Sequence, residues 1–120
     1  MIRGLRTVIY HVSDLEKAKK WYSNALGKEP YFDQPFYVGY NIGGYELGLD
    51  PSEKSVITGN NLVAYWAVED AKLAYQDLLS KGGTAYEDIQ DVGEGILVGA
   101  VKDPFGNIFG IIENPHFKAE

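Results

Sequence analysis

Hydrophobic and polar positions alternate from Thr7 to Val12, with Val8, Tyr10 and Val12 on one side, and this period of two predicts a strand. The period then lengthens. Leu15, Ala18, Tyr22, Ala25 and Leu26 recur at helical spacing, which leaves Glu16, Lys17, Lys19, Lys20 and Asn24 to face water. Ser13 and Glu16 read as a capping box, with the Asp14 charge favourable at the positive helix end, and Gly27 reads as the C-terminal cap. Strands are predicted around Pro30 to Asp33 and from Phe36 to Ile42, and a two-residue Gly43-Gly44 turn leads into Tyr45 to Leu49. With that turn, Ile42 pairs with Tyr45 and Asn41 with Glu46. The pleat then sends Phe36, Val38, Tyr40, Ile42, Tyr45, Leu47 and Leu49 to one face and Tyr37, Gly39, Asn41, Glu46 and Gly48 to the other.

Asp50 to Asn61 is polar, broken by Pro, Gly and Asn, and reads as a linker. Beyond it the pattern restarts at an offset of 56 residues, Asp14 to Asp70, so that Val8 matches Ala64, Tyr10 matches Trp66 and Val12 matches Val68. A second helix carries Ala71, Ala74, Tyr75 and Leu78 on one stripe and ends at Gly82-Gly83. Strands follow at Thr84 to Ile89, Ile96 to Val101 and Ile108 to Ile112. The last two are joined by Asp103-Pro104-Phe105-Gly106-Asn107, whose Asp, Pro and Gly suit a type I turn, with the Asp side chain capping local amides. Strand, helix and three strands thus occur twice, which is the mark of an internal duplication. The predicted class is α+β, two tandem βαβββ modules within one domain: module one at about 5–50, the linker at about 51–61 and module two at about 62–114.

Size and charge narrow the function classes. A chain of 120 residues is one domain and buries roughly two-thirds of its unfolded surface without help from a disulfide or metal. It has no Cys, which excludes disulfides, thiolate metal sites and Cys nucleophiles and fits a reducing compartment. With no signal-peptide h-region and no apolar run of membrane-spanning length, the expectation is a soluble cytoplasmic protein with no membrane partner. The net charge of −6 and the lack of a basic stripe exclude nucleic acid as a partner. Acidity favours a cationic or neutral ligand.

The Asp103-Pro104-x-Gly106-Asn107 turn, Val-x-Asp ahead of each helix (Val12 to Asp14 and Val68 to Asp70) and the helix-ending glycines resemble the vicinal oxygen chelate superfamily. That superfamily includes glyoxalase I, bleomycin-resistance proteins, fosfomycin-resistance enzymes and extradiol dioxygenases. The resemblance covers the whole chain. It implies that the two modules curl into a cupped, partly open eight-stranded sheet whose inner face lines a cleft. Metal-dependent members hold a divalent ion at four inner-strand positions, mostly through His and Glu. Carried over singly, those positions fall on Thr7, Glu46, Val63 and Gly110. Only Glu46 ligates strongly, and Zn, Ni, Fe or Mn needs at least three converging N or O side chains. No cofactor is therefore expected, and a divalent metal is disfavoured.

Strand parity places Thr7, Ile9, His11, Tyr37, Asn41, Glu46, Tyr65, Ala67, Gly110 and Ile112 on the inner lining, a mostly apolar set with a few polar groups, as a small-molecule site requires. An imidazole such as that of His11 suits a base, an acid or a hydrogen-bond anchor, although a lone strand-end His is often plain surface. Glu46 reads as a general base, a partner for His11 or an anchor for a cation; the bland reading is an exposed carboxylate. Tyr37 and Tyr65 suit stacking on a planar ligand or ordinary packing. Strand glycines Gly39, Gly48, Gly99 and Gly110 make room for a ligand or a second backbone, or mark bulges. Trp21, Tyr22, Trp66 and Phe109 belong to core or interface. Two functions compete. One is a metal-free small-molecule binder of the glyoxalase and bleomycin-resistance type, working as a homodimer. The other is a lyase, isomerase or dioxygenase-type enzyme on a small oxygenated substrate that uses His11 and Glu46, with or without a metal in assistance.

Overall fold

The structure is a computed structural model that describes residues 1, 3, 5–52, 56–58 and 63–116. The predicted linker falls largely outside the described residues. The element order is β1 (Thr7–His11), α1 (Leu15–Leu26), β2 (Phe32–Gln34), β3 (Tyr37–Ile42), β4 (Tyr45–Asp50), β5 (Ala64–Ala67), α2 (Ala71–Ser80), β6 (Thr84–Asp91), β7 (Leu97–Lys102) and β8 (Ile108–Glu113). Strand, helix and three strands therefore occur twice, in two units of residues 1–57 and 58–120. Each unit has its own four-stranded sheet, ordered β1-β4-β3-β2 in the first and β5-β8-β7-β6 in the second, with the first and last strand of each module parallel neighbours. Among the described residues no helix is long and apolar enough to cross a membrane.

The repeat extends to the helix starts. Asp14 and Asp70 both stand in extended backbone and accept, at 3.1 Å, from the amides of Lys17 and Leu73. This corrects the predicted capping box: the N-cap is Asp14, not Ser13, because the carboxylate satisfies an orphan amide and carries charge to the positive helix end. Gly27 caps α1 in the left-handed conformation, as its sequence position suggests.

In the first unit Ala18 and Tyr22 of α1 meet Val38, Tyr40, Leu47 and Leu49 of the hairpin, all fully buried. The Gly43-Gly44 turn gives the predicted pairs Ile42 with Tyr45 and Asn41 with Glu46. Phe36 departs from the expected face. It precedes β3, is 66% exposed and sets its ring against Phe32 at 5.9 Å instead of joining the core. The buried Tyr40 hydroxyl donates to the Lys19 carbonyl at 3.0 Å and lies 2.9 Å from Ser23 Oγ. Tyr40→Phe orphans both partners, and we expect a loss of about 1 kcal/mol in urea unfolding. No measurable change would mean that water replaces the phenol.

The second unit buries Ala71, Tyr75 and Leu78 of α2 against Ala100, Val101, Phe109 and Ile111, with Trp66 stacked on Phe109 at 5.8 Å. Its edge strand β6 runs two residues further than its pattern predicts, through register shifts opposite β7. Those shifts disturb the strict alternation on which the sequence reading relied.

Candidate functional site

In the first unit the sheet face away from α1 carries the polar candidates. The parallel β1–β4 register pairs Thr7 with Glu46, Ile9 with Gly48 and His11 with Asp50. Thr7 Oγ1 donates to Glu46 Oε1 at 3.0 Å, and the Tyr31 hydroxyl donates to Oε2. The Tyr37 hydroxyl bonds the same carboxylate. These hydroxyls, Tyr31 foremost, hold the Glu46 carboxyl below its ordinary range against the opposing effect of burial. Burial first, and then the Glu46 charge, push the Tyr37 phenol up to about 12. The hydrogen bond to Glu46 raises Tyr31 too. At neutral pH the cluster is one carboxylate held by the Thr7 and Tyr31 hydroxyls, with the protonated Tyr37 phenol beside it.

Glycines make this packing possible. Gly39 and Gly48 face each other across β3 and β4. A Cβ on Gly48 would lie 2.0 Å from the Tyr37 hydroxyl oxygen, and one on Gly39 would lie 2.9 Å from Glu46 Oε2 and 3.0 Å from the Tyr31 ring. The space expected for a ligand or a second backbone is thus filled by the site's own side chains. Gly99 is likewise covered by Ile89, whereas Gly110 makes room for a second backbone, the Ala64 carbonyl, with the Tyr65 ring beside it. Phe32, opposite Gly39, extends the surface, with its ring 6.4 Å from Tyr31 and 6.1 Å from Tyr37. Ile9 is exposed beside Gly48. Asn41 is exposed, and its side-chain oxygen accepts from Gly44 N at 2.9 Å in the hairpin turn.

His11 and Glu46 do not come together. The register sets His11 opposite Asp50, four residues along from the Thr7–Glu46 pair, and at about 3.3 Å per residue that is about 13 Å. Direct proton transfer between them needs hydrogen-bond reach, so the predicted catalytic pair is not assembled. The Asp50 carboxyl is lowered chiefly by Ser52, with a smaller contribution from His11.

The candidates of the second unit are apolar apart from one phenol. Tyr65 is exposed and covers Gly110, its register partner; Ala67 pairs with Ile112, and Val63 is half-buried just before β5. The duplication also corrects the chelate assignment. Tyr65 repeats Ile9, so its partner Gly110 repeats Gly48, the partner of Ile9. Glu46 repeats Ile108, two residues earlier, and is not the counterpart of Gly110 in the first module. The four positions then hold Thr7, Gly48, Val63 and Gly110, a set that cannot ligate a divalent ion. Among the described residues no three His, Cys, Asp or Glu side chains gather into a metal site.

Sequence reasoning missed Tyr31 and Phe32. The available signal was the facing glycine pair, a hollow in a sheet face that aromatic neighbours are suited to fill.

A family model described as Glyoxalase/Bleomycin resistance protein/Dioxygenase superfamily matches residues 4–111. The chain belongs to this superfamily. Its glyoxalase fold is shared with a glyoxalase-related enzyme from Fulvimarina pelagi, at 21% identity and TM-score 0.79, over 99% of this chain and 94% of that one. A glyoxalase/bleomycin resistance protein from Albidiferax ferrireducens T118 is similar at 23% identity and TM-score 0.75, over 92% and 98%. A superfamily member from Sphaerobacter thermophilus DSM 20745 is similar at 25% identity and TM-score 0.74, over 94% and 98%. No curated protein matches the chain. Within the glyoxalase superfamily, then, this chain keeps the two-module fold.

Proposed function

We propose that this superfamily member binds a small organic molecule on the open sheet face of its first module, around Glu46, without a metal. The observation that carries this reading is a charged carboxylate ringed by Thr7, Tyr31 and Tyr37 and flanked by exposed apolar side chains, Ile9 and Phe32. A few convergent polar groups in an apolar surround are what small-molecule recognition needs. The replaced chelate positions support the absence of a metal. The place of β1 and β5 at the ends of their sheets supports a homodimer, in which a second copy covers strands that would otherwise invite pairing.

A titration by NMR with a panel of aromatic fragments, neutral and charged, tests the site. Shift changes are expected at the amides of Thr7, Tyr31, Tyr37 and Glu46; a panel that leaves all four unmoved while shifting others refutes it. Zn, Ni, Mn and Fe(II) are expected to leave the melting temperature unchanged, whereas a stoichiometric ion with a clear upward shift would overturn the metal-free reading.

The Glu46 carboxyl also makes a pH prediction. Its folded-state value lies below the ordinary 4.5, so its contribution to stability is present above 4.5 and is lost as pH falls through the folded value. The stability deficit of Glu46→Gln, followed by urea midpoint, should therefore be constant above 4.5 and shrink as pH falls from 4.5 through the folded value. A deficit that grows in acid has the wrong sign and sinks the assignment.

A further inference from the structure

The two hydroxyl protons bonded to Glu46 point at its carboxylate. Thr7 donates to Oε1 and Tyr31 to Oε2, and the Tyr37 phenol lies beside them and lowers the same carboxyl. A hydroxyl has one proton, so what Thr7 and Tyr31 present outward is oxygen lone pairs, and an ionised carboxylate only accepts. Asn41, the register partner of Glu46, has its side-chain oxygen held by the hairpin turn. Inward-facing positions of the four strands are Thr7, Ile9 and His11 on β1, Phe32 and Gln34 on β2, Tyr37, Gly39 and Asn41 on β3, and Glu46, Gly48 and Asp50 on β4. None is Lys or Arg, and two are carboxylates. The Tyr31, Phe32 and Tyr37 rings, 6.1 to 6.4 Å apart along this chain of contacts, add negative π faces.

Resting on the site assigned above, we propose that its ligand is a protonated amine with an aromatic or apolar body. The ammonium N–H groups go to Glu46 and the surrounding hydroxyl oxygens, and the body lies over Ile9 and Phe32. Among these strand positions a carboxylate or phosphate ligand finds no Lys or Arg and meets like charge. Ligand class therefore follows from the direction of the hydrogen bonds, since the same residues with their protons turned outward would select an acceptor.

Three probes of equal shape separate the possibilities: 2-phenylethylamine, 2-phenylethanol and phenylacetate, titrated at neutral pH and watched at the Thr7, Tyr31, Tyr37 and Glu46 amides. The amine is expected to bind at least tenfold tighter than the alcohol, and the carboxylate weakest. Glu46→Gln should bring amine and alcohol level. Asp77→Asn, which removes the same charge from an exposed α2 residue paired with Lys81, should leave the tenfold preference intact. Tyr31→Phe provides a second variant if Glu46→Gln folds poorly. Tyr31 is 63% exposed, and its loss frees Oε2, so amine affinity should hold or rise. Alcohol or carboxylate binding as tight as the amine at these amides overturns the ligand class and leaves the site standing. So does a Tyr31→Phe protein whose amine affinity falls to that of the alcohol. No probe shifting these amides refutes the site itself.

Discussion

Gly110→Ala is expected to destabilise the protein by about 2 kcal/mol, the usual scale for overpacking a tight site. The added Cβ would lie 2.7 Å from the Ala64 carbonyl oxygen and 2.8 and 3.0 Å from two Tyr65 ring carbons. The carbonyl belongs to β5, which is paired to β8 with Ala64 opposite Phe109 and Tyr65 opposite Gly110. It cannot retreat without stretching the ladder that holds it. An alanine restricts the unfolded chain and returns about 0.5–1 kcal/mol, too little to cancel a backbone collision. At about 4 °C per kcal/mol for a chain of this size, the melting temperature should fall by about 8 °C.

Gly48→Ala makes the useful contrast. Gly48 repeats Gly110, but its Cβ would strike the hydroxyl end of Tyr37 at 2.0 Å, and that side chain can swing outward. Stability should drop by less than about 1 kcal/mol, while the Tyr37 contact with Glu46 is lost. Equal losses at the two glycines, or a change within 0.5 kcal/mol at Gly110, would show that the second sheet adjusts freely.

Those two glycines also mark where the sequence was readable and where it was not. The module order, the hairpin register at Gly43-Gly44 and the closing turn were legible because turn chemistry and periodicity act over a few residues. The helix start was misplaced by one residue because Ser13 and Asp14 are both good caps, and only the repeat at Asp70 distinguishes them. Phe36 continued the strand alternation on paper, yet β3 begins after it. The larger errors were long-range. Thr7 and Glu46 are 39 residues apart and meet through a parallel pairing for which no turn sets the register. The same pairing keeps His11 away from Glu46 and makes Gly48, not Glu46, the repeat of Gly110. Tyr31 was invisible for a related reason. It lies outside any strand and reaches Glu46 only once the Gly39–Gly48 hollow exists, so no local pattern announces it.

The second large effect is expected at Asp103, where Asp103→Ala should cost about 3 kcal/mol, measured by urea unfolding. Asp103 is 3% exposed and opens the β7–β8 turn. Its Oδ1 accepts from the amides of Phe105 at 2.9 Å and Asn107 at 2.8 Å, while its own amide donates to the Asn107 carbonyl at 2.8 Å. Removing the carboxylate leaves two amides without their acceptor in a region that water scarcely reaches, and bonds to charged acceptors are the stronger kind. Asp103→Asn separates charge from geometry. Both bonds run to the same oxygen, which the amide keeps, so this variant should lose only about 1 kcal/mol. More than the turn depends on it. The turn holds Lys102 opposite Ile108 and Ala100 opposite Gly110, and that register sends Gly110 beneath Tyr65. A slip of one residue would turn Phe109 and Ile111 out of the core. If Asp103→Ala costs no more than Asp103→Asn, the two amides are satisfied without the side chain, and the β7–β8 register must be set by the packing of Phe109 and Ile111 alone.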